Sequence, residues 1–175
     1  MKILKKIGLG LLGFIALLLI IAIFIPSTYT VSVSTTINKP QKEVFDYVKL
    51  IKNQEQYSVW ILQEKNLELS YTGTDGSVGF IAHWTNKDNN IGEQEITKIT
   101  AERIDVDLRF KKPMEGNQKA ATIVTALSPT QTKVTNEFYG NDPYPFNLLS
   151  IIGKKFITDA QTQNMNNLKT ILEKQ

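Results

Sequence analysis

The sequence predicts an α+β fold in which a curved antiparallel sheet wraps around one long C-terminal helix, preceded by a single transmembrane helix. Three observations carry this reading. Nineteen consecutive residues, Ile7 to Ile25, hold no charge. From residue 66 to residue 140 apolar and polar side chains alternate with a period of two, the signature of half-buried strands. Residues 147–173 then switch to the period of an amphipathic helix.

The uncharged run comes first. As a helix it extends roughly 28 Å, close to the hydrocarbon thickness of a bilayer. Lys2, Lys5 and Lys6 precede it, and no charge follows until Lys39. Basic flanks stay on the cytoplasmic side, so the asymmetry predicts a single-pass plasma (inner) membrane anchor with a cytoplasmic N-terminus and an extracytoplasmic domain. A cleaved signal peptide is the alternative. Its apolar core is typically about 7–15 residues and ends in small residues, whereas this run is longer and ends Ile-Phe-Ile-Pro-Ser-Thr. Without cysteine there is no lipoprotein processing. The chain divides into residues 1–26, the basic flank and anchor, and residues 27–175, one folded domain.

Charge and cysteine narrow the function classes. The net charge of +3 belongs to the three lysines before the run; beyond them 17 basic residues balance 17 acidic ones. A neutral domain carries no electrostatic footprint for nucleic acid. The absence of cysteine excludes thiol catalysis, disulfides and thiolate metal sites.

Within the domain, Val31, Val33, Thr35 and Ile37 alternate with Ser32, Ser34 and Thr36 in a first strand over 28–37. Asn38-Lys39-Pro40 stops it, with proline suited to the first turn of the helix predicted over 41–51, where Val44, Tyr47, Val48 and Ile51 recur at helical spacing. Residues 51–61, with Tyr57 and Trp60, read as a second short helix or turn. Strands follow over 66–72 and 80–85 around the hairpin signal Thr74-Asp75-Gly76. A turn at 87–90 leads to strands over 93–99 and 103–110, and a last hairpin pairs 120–127 with 132–139. Gly76, Gly79, Gly92 and Gly116 read as turn glycines, with no phosphate-loop spacing.

The terminal helix places Leu149, Ile152, Gly153, Phe156, Ile157, Ala160, Leu168 and Ile171 on one broad stripe, with Lys169 and Glu173 opposite. No other element is long and apolar enough to cover the sheet, so Phe156 is expected to pack in the core. Gly153 reads as room for a partner backbone. Asn164 interrupts the stripe, with Gln163 and Asn167 near its edge. An amide on a dry apolar face is costly unless hydrogen-bonded. Two readings stand: a bonded core asparagine, or an amide facing a cavity where sheet and helix diverge.

The segment Thr-Thr-Ile-Asn-Lys-Pro-Gln-Lys-Glu-Val-Phe (35–45) resembles the start of the SRPBCC, or START/Bet v 1-like, superfamily. Residues 79–97, 108–116 and 132–140 are similar to its polyketide-cyclase-like branch, in which an N-terminal membrane helix is frequent. The resemblance covers residues 29–173. It implies a helix-grip fold with a hydrophobic cavity between sheet and last helix, but no particular reaction. Where the family often has tryptophan and tyrosine, this chain has Asn136 and Ala82, which implies a roomier pocket.

Few constellations carry chemistry. His83, the sole histidine, points away from Trp84 onto the outer face, without converging metal ligands. Glu93 and Glu95 share a strand face and read as solvated residues, with an acid–base pair as the alternative. Arg103, Asp105, Asp107 and Arg109 form an outward row of alternating sign. Lys111-Lys112 and Lys154-Lys155 are short basic pairs, read as ordinary surface charge or as headgroup contacts. Tyr71, Phe80, Trp84, Phe110 and Phe138 all fall on the concave face, either as plain core or as cavity wall. The expected ligand site is therefore Tyr71, Phe80, Trp84, Phe110 and Phe138, with Trp60 near the mouth and Asn164 as an orienting hydrogen-bond group. The expected function is a membrane-anchored binding module for a hydrophobic or amphipathic, lipid-like small molecule. No metal, cofactor or catalytic constellation is identifiable. A cyclase-like or hydrolytic enzyme using the same cavity is one alternative, and a protein-interaction module is another.

Overall fold

The computed structural model describes residues 2–64, 66–87, 90–112 and 115–174. Asp88 and Asn89 of the expected turn, and Pro113 and Met114 of the 108–116 segment, lie outside the described residues. The chain opens with helix α1 (Lys2–Ile23), whose length and apolarity suit a membrane span or a signal sequence. Strand β1 (Thr28–Ile37) follows, then three short helices: α2 (Gln41–Val48), α3 (Gln54–Tyr57) and α4 (Val59–Leu62). Six more strands are β2 (Glu68–Thr72), β3 (Ile81–Thr85), β4 (Ile91–Ile99), β5 (Arg103–Lys112), β6 (Gly116–Ser128) and β7 (Gln131–Asn141). A turn of 3₁₀ helix over Phe146–Leu149 leads into α5 (Ser150–Lys174).

The seven strands form one antiparallel sheet in the order β1-β7-β6-β5-β4-β3-β2. Meander connections explain the order, because each strand after β2 pairs with its predecessor and β1 closes against β7. The register gives the sheet two distinct ends. Thr28, Asn141, Gly116, Lys112, Ile91, Thr85 and Glu68 lie at the end nearest α1. Ile37, Thr132, Arg103, Ile99 and Thr72 lie at the distal end. The solid core fills the distal half, where Ile37, Val44, Ile96, Ile104, Val124, Val134, Leu168 and Leu172 are all buried together. Asp75 in the β2–β3 turn ties this end down, its carboxylate accepting the Ile51 and Lys52 amides at 2.8 and 3.1 Å.

Three expectations are corrected here. Gly92 is not a turn glycine but sits inside β4 opposite Trp84, and an added Cβ would lie 2.2 Å from the Trp84 ring. The indole occupies the space a side chain would need. Gly153 has open space around its Cα, with no backbone approaching it. The apolar stripe of α5 is two faces rather than one. Ala160, Asn164, Leu168 and Leu172 are buried. Leu149, Ile152 and Phe156 lie about 100° further round the helix and are 56%, 75% and 62% exposed. Phe156 is therefore not a core residue.

Candidate functional site

Toward the α1 end the sheet and α5 part, leaving a cavity of about 490 Å³. Its sheet wall comes from inward-facing positions on six strands: Tyr71, Ala82 and Trp84, then Gln94, Leu108 and Phe110, then Ala120, Thr122, Asn136 and Phe138. Phe156, Ile157, Gln161 and Asn164 of α5 form the opposite wall, and Tyr57 to Ile61 of the short helices form the side. The exposed lining residues Trp60, Gln63, Glu64 and Phe156 mark the mouth. The aromatic groups brace one another. Trp84 meets Phe110 edge-on at 5.7 Å and Trp60 meets Phe156 edge-on at 5.2 Å.

Of the seven predicted site residues, Trp60, Tyr71, Trp84, Phe110, Phe138 and Asn164 converge on this cavity. Phe80 does not. It precedes β3, its carbonyl accepts the Ile96 amide at 2.9 Å, and it is 1% exposed. Its ring stacks on Tyr71 at 5.8 Å, so it is core behind the wall. Phe80 falls on the packed half of the concave face. Ala82 and Asn136 both border the hollow.

Asn164 is both of the things its sequence position allowed. It is 4% exposed, and its Oδ1 accepts the Val59 amide at 2.8 Å, while the side chain also borders the cavity. One turn on, Asn167 Nδ2 donates to the Tyr57 carbonyl at 3.0 Å. The two amides clamp the break between α3 and α4 onto α5. Main-chain groups at short helix ends lack intrahelical partners, so this clamp satisfies groups that would otherwise be buried without a bond. The amide gap in the apolar stripe is thus the holder of the cavity's side wall.

A second polar feature was not read from the sequence. Thr122 Oγ1 donates to Asn136 Oδ1 at 2.9 Å, and Asn136 Nδ2 donates to Gln161 Oε1 at 3.1 Å. This chain crosses the cavity from β6 through β7 to α5. Its only sequence signal is a polar residue on the apolar side of an alternating strand. Tyr57 lines the side wall, and burial pushes its phenol well above the usual tyrosine range, so it stays neutral.

Glu93 and Glu95 face outward, away from the cavity. Arg109 Nε and Nη2 donate to Glu93 and Glu95, each at 2.6 Å, Lys111 Nζ donates to Glu93 at 2.8 Å, and His83 Nδ1 lies 3.3 Å from Glu93. The Lys111 and Arg109 bonds hold the Glu93 carboxyl at about 2, below the usual carboxylate range. A carboxylate so stabilised as an anion is a poor proton donor near neutrality, and Glu93 and Glu95 stand here as ion-pair partners of Arg109 outside the cavity. Arg103 ties Asp105, Glu137 and Tyr139 together further along the same face.

A long helix gripped by a curved antiparallel sheet, with a hollow between them, is the helix-grip fold. Solved structures of similar fold are SRPBCC-type, or Bet v 1-like, proteins. They include norcoclaurine synthase from Thalictrum flavum, with a TM-score of 0.62 at 11% identity over 85% of this chain and 88% of that one. The protein MLL2253 from Mesorhizobium loti gives a TM-score of 0.62 at 13% identity, over 83% and 98% of the two chains. XoxI from Bacillus cereus gives 0.61 at 10% identity, over 82% and 94%. A further structure of the Thalictrum protein holds dopamine and hydroxybenzaldehyde. At such identities the likeness is one of fold. The sequence matches no protein-family profile and no curated protein.

Proposed function

We propose that this protein is a membrane-anchored binding module that holds a lipid-like amphipathic molecule between its sheet and its C-terminal helix. The observation that carries the proposal is a hollow of about 490 Å³ with aromatic and aliphatic walls, crossed by the Thr122–Asn136–Gln161 hydrogen-bond chain. Pockets of this size and make-up suit one small ligand, whose apolar body is desolvated while a few polar groups fix its orientation. The interior polar chain is two amides and a hydroxyl, groups that orient a ligand and do not exchange protons near neutrality. The uncharged run Ile7 to Ile25, most of it in α1, with the three lysines before it supports a single-pass anchor and an extracytoplasmic domain.

Tryptophan fluorescence tests the proposal, because Trp84 lies in the cavity wall and Trp60 at its mouth. Titration of the full chain in mild detergent micelles with a long-chain fatty acid should give a saturable, one-to-one change. A response that is absent, or that grows linearly without saturation, contradicts a binding cavity. Chemical change of the ligand during the titration would favour an enzyme instead.

A further inference from the structure

The fold places its hollow end and its outward apolar residues at the point where α1 joins the domain. Only residues 24–27 separate α1 from β1, a span of at most roughly 17 Å even when fully extended. The joint is also bonded. Asn147, 3% exposed, donates from Nδ2 to the Ala22 carbonyl in the last turn of α1 at 2.7 Å and to the Ile25 carbonyl in the connection to β1 at 2.6 Å. The Asp142 amide donates to the Ser27 carbonyl at 2.8 Å. These bonds tie the end of α1 and the connection after it to the segment that leads into α5. Ala22, alone among the described residues of α1, is buried, against the 146–149 turn.

Next to this joint, residues 144–156 carry six of the ten exposed large hydrophobic side chains among the described residues of the domain. Phe146, Leu149, Ile152 and Phe156 project from the 3₁₀ turn and the first half of α5, and Trp60 packs edge-on against Phe156. Between Asp142 and Asp159 the only charges are Lys154 and Lys155. Glu64 borders the mouth and Lys155 pairs with Asp159 at 2.6 Å, while Lys154 lies over the Tyr29 ring; exposed apolar and aromatic groups flanked by lysines are the composition of a surface that lies in a bilayer interface. A patch of this kind on a water-exposed domain calls for a partner.

We infer that the partner is the bilayer itself: Phe146, Leu149, Ile152, Phe156 and Trp60 seat the mouth of the cavity in the lipid interface of the membrane that α1 spans. This rests on the anchor reading above and extends it. With Ile25 at the hydrocarbon boundary, Asn147 is bonded to a carbonyl at that boundary, so its neighbours Phe146 and Leu149 sit at headgroup depth. Trp60 and Phe156 are at once part of the patch and part of the cavity mouth. A lipid-like ligand then passes between bilayer and cavity without crossing bulk water.

The chain has no cysteine, so single labelling sites can be introduced without background. The full chain is reconstituted in phosphatidylcholine vesicles with an environment-sensitive fluorophore at one of three positions. Phe14→Cys reports the middle of α1, Ile152→Cys the patch, and Thr130→Cys the exposed hairpin at the distal end of the sheet. Lipids carrying a quencher near the headgroup should quench the Ile152 site several-fold more than the Thr130 site, and lipids with a mid-chain quencher should quench the Phe14 site. Equal, weak quenching at Ile152 and Thr130 with strong quenching at Phe14 overturns the docking and leaves the anchor standing. Weak quenching at Phe14 overturns the anchor, and the docking falls with it. Because Ile152 is largely exposed, its replacement does not touch the core, and Leu149→Cys provides a second patch position.

Discussion

The Val59 amide donates to the Asn164 side-chain carbonyl at 2.8 Å, joining the first residue of a one-turn helix to the middle of the terminal helix 105 positions later. With Asn167 on the Tyr57 carbonyl, this bond fixes the side wall of the cavity. Asn164→Leu leaves the Val59 amide buried without that partner, at a cost of about 1–3 kcal/mol. The expected result is a lower denaturation midpoint and faster hydrogen exchange at residues 57–62. Unchanged stability and exchange would show that the bond does not hold the wall.

Leu168 and Phe156 test the two faces of α5. Leu168 is fully buried, so Leu168→Ala should cost about 2–5 kcal/mol. Phe156 is mostly exposed, so Phe156→Ala should cost less than about 1 kcal/mol in denaturant melts of the detergent-solubilised chain. Equal losses would restore the single stripe.

The two faces also show what the sequence could and could not reveal. Period-two alternation made the strands legible one by one, and α5 was legible because no other segment could cover the sheet. Its rotational phase was not. Leu149, Ile152 and Phe156 are as apolar as Leu168, and a helical wheel cannot tell a side chain that meets a core from one that meets a different apolar medium. Gly92 reads locally as a turn residue, and only its cross-strand partner Trp84 gives its role. Phe80 shares its alternation with Trp84 but sits over the packed half of the sheet. The Thr122–Asn136–Gln161 chain joins residues 14 and 25 positions apart, so no local pattern announces it.

Acid stability depends on the outer-face network. The folded-state pKa of Glu93 is depressed to about 2 by its bonds to Lys111 and Arg109. A depressed carboxyl contributes stability that is fully present above its unfolded pKa, near 4.3, and is lost as pH falls through about 2. Melting temperature should therefore fall between roughly pH 4.5 and pH 2, and Glu93→Gln should fall less steeply over the same window. Parallel curves for the two proteins would assign the acid sensitivity elsewhere.

Asn136 separates polar from apolar recognition inside the cavity. Asn136→Leu removes the acceptor of Thr122 and the donor to Gln161 while keeping an apolar wall. It should weaken a fatty acid by about 1 kcal/mol or more and leave an alkane of similar length unaffected. Equal effects on both ligands would mean that the amide chain braces the fold and does not orient the ligand.

The central claim is that the hollow holds a ligand, and native mass spectrometry tests it most directly. The full chain is purified from its own cells in mild detergent, beside an Asn136→Trp variant that fills the hollow from β7. The expected result is a charge series carrying one retained small molecule, extractable into organic solvent, which the variant lacks. A bare chain in both, or the same mass kept by both, would contradict it.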